Sequence, residues 1–286
     1  MGIFLDFMND MKFMLEHFFT HKDFLPDASL IPGTLFTPLQ IFFEIIILIF
    51  IIAFARYVAK RKELIKPIFK TMFFALVIFE VMIISWDTMA SADQTFDFAI
   101  NLPLYPCSIF MFVLPFIIWG KGISKQIACG YVCTLGLIGA LINFLYPIAR
   151  LMDYSCISFP AFHTFFYHGS MLFACLVLLM SKTHCYKKVS TWWNPFLASI
   201  PGLLVSIPAN IINYSPIHAD YMYFTNQHFL SQMVFGNTET IKVTLVMYLV
   251  YLIVPACFYL PFMATHVIKT KNFALKRLIQ SLISNI

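Results

Sequence analysis

Charged residues are scarce in this chain: Asp, Glu, Lys and Arg make up 12% of its 286 residues. A soluble domain carries about a quarter. With 60% of the residues hydrophobic, and Phe alone supplying 33, the apolar surface is too large for the core of a water-soluble protein of this size. No segment alternates apolar and polar residues, which excludes the strands of a transmembrane barrel. The N-terminus lacks a basic start followed by an apolar run, since Asp6, Asp10 and Glu16 interrupt it, so it does not read as a signal peptide. There is no convincing internal repeat and no second domain. The seven cysteines form no metal pattern: Cys129 and Cys133 lie one helical turn apart without a second ligand pair. Most read as small apolar packing residues, and Cys156, in an outer loop, has no obvious disulfide partner. Neither a metal nor a cofactor is expected.

What is present is a series of apolar runs of membrane-crossing length. They fall at 35–55, 67–87, 102–119, 126–147, 159–180, 193–213 and 241–265, each close to the ~20 residues that cross the hydrocarbon of a bilayer. The fold class is therefore all-α, a polytopic transmembrane bundle of about seven spans. The third is the shortest and holds Pro103, Pro106 and Pro115, so its outer end is not expected to be regular helix. Gly136 and Ala140, four apart in the fourth span, suggest close helix packing.

Fifteen of the 19 lysines and arginines fall on one side, in loops 56–66, 120–125 and 181–192, at Lys70 and in the tail. Lys12, Lys22, Arg150 and Lys242 fall on the other. The positive-inside rule places the N-terminus outside and the C-terminus in the cytoplasm of a cell-membrane protein. The net charge of +5 is thus mostly an orientation signal and requires no nucleic acid. Residues 1–34 read as an external amphipathic helix on the membrane surface, or equally as a cap on the bundle, with Phe4, Phe7, Met11 and Phe18 at helical spacing. The seven spans occupy 35–265, and 266–286 reads as a cytoplasmic tail.

Polar residues within the membrane are expensive and mark function by default. Those here are Glu44, Glu80, Cys107, Asn143, His163, His168, Asn210 and Asn213. Counting at ~1.5 Å per residue from the outer end of each span, Cys107 and His163 lie ~7 Å deep, Glu80 ~10 Å, Glu44 ~13 Å and His168 ~15 Å. The set shares the outer half of the bilayer. A thiol, an imidazole and a carboxylate are the nucleophile, base and orienter of acyl transfer. Cys107, His168 (or His163) and Glu80 have the right types, at a depth where they would meet the glycerol esters of membrane phospholipids. Glu44, Asn143, Asn210 and Tyr221 are candidate contacts to the substrate. Each has a structural counterpart: a packing thiol, interhelical hydrogen bonds, or a buried protonated acid.

Four strings carry a family resemblance. Leu102-Pro103-Leu104-Tyr105-Pro106-Cys107-Ser108 is similar to the Leu-Pro-Leu-His-x-Cys segment of the YwaF-type family of bacterial membrane proteins. Phe162-His163-Thr164-Phe165-Phe166-Tyr167-His168-Gly169 is similar to its His-x-Phe-Phe-x-x-His segment. Glu80 with Trp86, and Ala219-Asp220-Tyr221-Met222-Tyr223, similar to an Asn-Tyr-Met segment, complete the set. The resemblance runs from about residue 35 to 265, with Tyr105 where many relatives have His and Asp220 where they have Asn. The family resembles in turn a eukaryotic transmembrane family of phospholipid acyltransferases in which a Cys after a Pro is implicated. The resemblance implies a lipid acyltransferase or transacylase, with Cys107 first and His168 and His163 next. The residues themselves leave two other classes open. One is a transporter, suggested by Pro201-Gly202, Pro208, Pro255 and Pro261 in the last two spans. The other is a binding or sensor module lidded by the outer loop from Tyr214 to Thr240, with His218 and His228 and a possible re-entrant segment near Tyr221–Val234.

Overall fold

The structure, a computed structural model, describes residues 2–147, 151–186, 191–213, 220–223, 232, 236 and 239–263. The tail at 266–286, the loop histidines His218 and His228, most of the segment 221–234 and the side chain of Asn213 lie outside the described residues. Among the described residues the chain is helical, with no strand.

The helices are α1 (Gly2–Glu16), α2 (Pro38–Ala59), α3 (Lys62–Ala90), α4 (Phe98–Asn101), α5 (Ile109–Ile118), α6 (Gly122–Tyr131), α7 (Leu137–Leu145), α8 (Phe159–Met180), α9 (Asn194–Asn213) and α10 (Thr240–Cys257). A π-helical turn, Val132–Gly136, joins α6 and α7 into one 24-residue rod, Gly122–Leu145. Among the described residues, six helices are long and apolar enough to cross a membrane: α2, α3, the α6–α7 rod, α8, α9 and α10. The third expected span is different. Its helix, α5, has only ten residues, about 15 Å, and the rest of the distance belongs to the turns of residues 102–108. Pro103 and Pro106 lack the N–H groups that would extend α5 backwards.

Local chemistry starts the helices where the sequence places them. Thr37 caps α2, its hydroxyl accepting from Gln40 N at 3.4 Å with Pro38 in the first turn. Ser158 caps α8 in the same way, accepting from Ala161 N at 3.3 Å with Pro160 behind it. Helix α8 is the centre of the bundle: Ala161, Ala174, Cys175, Val177 and Leu178 are fully buried. It packs against α2, α3, α7 and the π turn. The long apolar side chains of α2, such as Phe42, Ile45, Ile49 and Phe50, are instead exposed on the outside of the bundle, where hydrocarbon is the solvent.

Helix α5 runs antiparallel to α3. Lys70, two turns into α3, lies over the Trp119 ring at 5.9 Å, and Phe73 meets the same ring edge-on at 5.8 Å. The C-terminal end of α5 is therefore at the lysine-rich end, and Cys107 lies towards the opposite end.

The N-terminal segment docks on that end. Met14 is buried in the core cluster. Phe159 N donates to Phe18 O at 2.8 Å, Lys22 N to the Tyr154 hydroxyl at 3.1 Å, and Trp86 Nε1 to Phe19 O at 3.0 Å. His21 is buried between Asp23 and Asp87, at 3.0 and 3.5 Å. Further along, Cys156 N donates to Gly33 O at 2.8 Å. Gly33 has φ +72°, and a Cβ there would fall 2.8 Å from Cys156 Sγ, so both the backbone and the space require glycine. Burial beside Gly33 pushes the Cys156 thiol up to about 11. The face of α1 carrying Phe7, Met8 and Leu15 stays exposed.

Candidate functional site

The broken segment before α5 is where the backbone most needs help. Carbonyls that a helix would pair are left over, and hydrocarbon offers no water to pair them. Tyrosine hydroxyls from two neighbouring helices do so. Tyr131, the last residue of α6 before the π turn, donates to Pro106 O. Tyr167 of α8 donates to Ser108 O at 3.4 Å. The two carbonyls flank Cys107, so the thiol is held from both sides by fixed groups. Cys107 itself precedes the N-cap of α5, with Phe110 N donating to Cys107 O at 3.0 Å.

Glu80 and His163 meet. Glu80 Oε2 lies 3.1 Å from His163 Nε2, with both side chains mostly buried. Glu80 is also within electrostatic reach of Cys107 and Tyr167. The sequence allowed Glu80 to orient either histidine, with His168 preferred as base; the partner it has is His163. His168 Nδ1 lies 2.9 Å from Thr164 O, a carbonyl that can only accept, so Nδ1 carries the proton and Nε2 presents a lone pair.

The other predicted contacts are placed as follows. Asn210 uses its whole side-chain amide on the backbone of Tyr221, donating to Tyr221 O at 2.9 Å and accepting from Tyr221 N at 2.7 Å. This pins residues 220–223 into the bundle, where Asp220, Tyr221 and Met222 are buried. Tyr221 donates its hydroxyl to Phe98 O, and burial pushes that hydroxyl up to about 12. Met222 and Tyr223 adopt positive φ, both 59°, an uncommon conformation held by the surrounding contacts. Glu44 accepts from Gln40 Nε2 at 2.5 Å, and its Oε1 is buried without a hydrogen bond. Asn143 Nδ2 is buried and likewise has no hydrogen-bond partner among the described residues. Glu44 lies near Cys156 rather than in the Glu80–His163 pair.

The fold gathers a set of tyrosines around Cys107 that their sequence positions do not group. The Tyr105 ring lies 5.8 Å from Tyr221 and 5.7 Å from Tyr223. Tyr251 of α10 donates to Met222 O at 3.3 Å. Tyr105, Tyr131, Tyr167, Tyr223 and Tyr251 are all within electrostatic reach of Cys107. Their common spacing is spatial, which hid them: they come from five separate stretches of chain. The two positions at which the chain departs from its resemblance, Tyr105 and Asp220, are neighbours by the same measure. Trp86, by contrast, belongs to the docking of the N-terminal segment. Among the described residues no group of His, Cys, Asp and Glu is arranged to hold a metal ion.

Apolar helices wrapped around a polar cluster that includes Glu80, His163 and Cys107 define a polytopic helical membrane protein with a buried candidate site. The chain belongs to the TMEM164 family, a transmembrane family whose model matches residues 34–269. No curated protein and no solved structure matches it.

Proposed function

We propose that this protein is a membrane-embedded lipid acyltransferase or transacylase of the cell membrane, acting on phospholipids through Cys107. The observation that carries the reading is the Glu80–His163 pair, 3.1 Å apart, with Glu80 in electrostatic reach of a thiol set at the start of α5. The resemblance to the YwaF-type family, and through it to transmembrane phospholipid acyltransferases, supports the same chemistry.

In this reading Cys107 Sγ attacks the ester carbonyl carbon of a donor phospholipid. The thiol proton passes to His163, whose imidazolium Glu80 stabilises. The bond between the acyl carbon and the ester oxygen breaks, the acyl group stays on sulfur as a thioester, and His163 gives the proton to the leaving lysolipid oxygen. An acceptor hydroxyl then gives its proton to His163 and takes the acyl group, restoring the thiol. His168, with its free Nε2, is the second candidate base. Asn210 positions Tyr221, and the unpaired Glu44 Oε1 and Asn143 Nδ2 are available to a head group or to water.

The test is intact-protein mass spectrometry of the purified protein after incubation with mixed phospholipids. An acyl-sized, hydroxylamine-labile mass increase, absent from Cys107→Ala, is expected. Full lipid turnover by Cys107→Ala would sink the reading.

A further inference from the structure

Helices α5 and α9 both lean on α6 but scarcely on each other, and the gap between them is an apolar groove of about 600 Å³. That volume is within the range of small-ligand sites. Pro201 interrupts the hydrogen-bond ladder of α9, and beside it Ile109 of α5 packs closely on Gly202, which has no side chain.

The groove starts in the broken segment that carries the candidate thiol, at Pro103 and Leu104. Leu104, three residues before Cys107 in the same broken segment, lines one end, and Phe116 and Ser124 line the other. Phe116 is nine residues from Cys107, about 14 Å at the helical rise. The groove therefore leads from the segment bearing Cys107 along α5 towards the lysine-rich end. Ser124 is the only polar side chain in its lining, and its hydroxyl is committed to Lys121 O at 2.9 Å. A hydrophilic ligand would find no partner there. Phe112 and Val205 are half exposed on the outer surface of the bundle, so the groove opens sideways to hydrocarbon.

We propose that this groove holds one acyl chain of a membrane glycerolipid, with the chain's ester end at Cys107 and its methyl end at Phe116. The proposal rests on the acyl-transfer reading for its direction. Its occupant follows from continuity with the site, from a lining with no free polar group, and from a lateral opening to bilayer chains. Filling the groove would then select for shorter chains without touching Cys107, Glu80 or His163.

The experiment places the full-length protein in phosphatidylcholine nanodiscs carrying a lipid with a diazirine either near the carboxyl end or at the methyl end of one chain. Irradiation is followed by peptide mapping. The first probe is expected to label residues 103–109, and the second residues 113–128 and 197–205, both above the labelling of the lipid-facing residues Phe42, Ile49 and Phe50 of α2. Gly202→Phe should cut groove labelling by at least about tenfold and leave α2 unchanged. A Cβ at Gly202 meets the Ile109 side chain at 3.0 Å, so Ile109 must shift to admit the Phe, and a second variant at the groove mouth is needed beside it. Val205→Trp, at the half-exposed mouth, should act in the same direction. Groove labelling no higher than α2, or unmoved by both substitutions, overturns the proposal, as does labelling with no difference between the two probes. The same mapping in Cys107→Ala separates the two readings. Depth-graded labelling with no thioester in the wild type upholds the groove and tells against acyl transfer, and a thioester without groove labelling does the reverse.

Discussion

Glu80 of α3 and His163 of α8 stand 3.1 Å apart, a carboxylate–imidazole contact between two helices that are far apart in sequence. If the pair acts as one unit, Glu80→Gln and His163→Ala should each lower lipid turnover by about 100-fold, and the double variant should be no worse than the more damaging single. Glu80→Gln keeps a hydrogen-bonding partner for His163, so its thermal stability should stay close to wild type. Turnover losses that multiply in the double variant would show that the two residues act separately. His168→Ala, measured beside them, reports whether the second histidine takes part.

Tyr131 and Tyr167 supply hydroxyls to the two carbonyls flanking Cys107. Replacing either by Phe leaves a buried carbonyl unpaired, at a cost of about 1–3 kcal/mol. Tyr131→Phe should be the more damaging, because the Tyr167 contact is long at 3.4 Å. Thermal unfolding in detergent measures the cost. Reaction of Cys107 with a lipophilic maleimide should quicken in both variants as the segment loosens. Two variants as stable and as slow to react as wild type would mean that these hydroxyls do not hold the segment.

Asn210 holds residues 220–223 through both halves of its amide. Asn210→Leu removes two hydrogen bonds and strands the N–H and C=O of Tyr221, which should cost about 2–4 kcal/mol. Asn210→Asp keeps the acceptor for Tyr221 N and loses the donor, so it should fall between. Limited chymotrypsin digestion reads the release directly, since Tyr221 and Tyr223 become cleavable when the segment leaves the bundle. Equal protection in wild type and Asn210→Leu would contradict this role.

His184, at the opposite end, is buried beside Tyr186 and lies 3.2 Å from the Tyr259 hydroxyl. Burial pulls its imidazole down to about 4. The unfolded chain takes up this proton near pH 6.5 and the folded chain only near 4, so stability from this site is full above pH 6.5 and falls as the pH drops towards 4. By pH 5 the loss is on the order of 2 kcal/mol. His184→Phe should be less stable than wild type at pH 7 through its lost hydrogen bond, but should lose less between pH 7 and pH 5. Parallel pH profiles for the two would remove His184 as the cause.

The polar residues worth pursuing were legible because hydrocarbon makes each of them costly. Cys107, Glu80, His163 and Asn210 stand out against Phe and Ile on sight, and counting from the span ends places them in one half of the bilayer. The irregular third span was legible too, since Pro103 and Pro106 cannot serve inside a helix. The tyrosines around Cys107 were not. A Tyr at a helix end looks like an interfacial anchor, and only the position of a neighbouring carbonyl shows that its hydroxyl is in use. Nor could Asn210 be seen as a fastener, because its partner is backbone and leaves no trace in side-chain type.

The sequence by itself determined that this is an all-helical membrane protein and where six of its long apolar helices lie. Those properties follow from segment length and transfer into hydrocarbon, which act locally along the chain. Tertiary structure alone decided that Glu80 meets His163, that tyrosines brace the strand of turns before α5, and that α5 and α9 leave a groove between them. Each of these depends on how far a helix is rotated about its axis and how it leans on its neighbours. Those quantities are set by side-chain packing between distant segments.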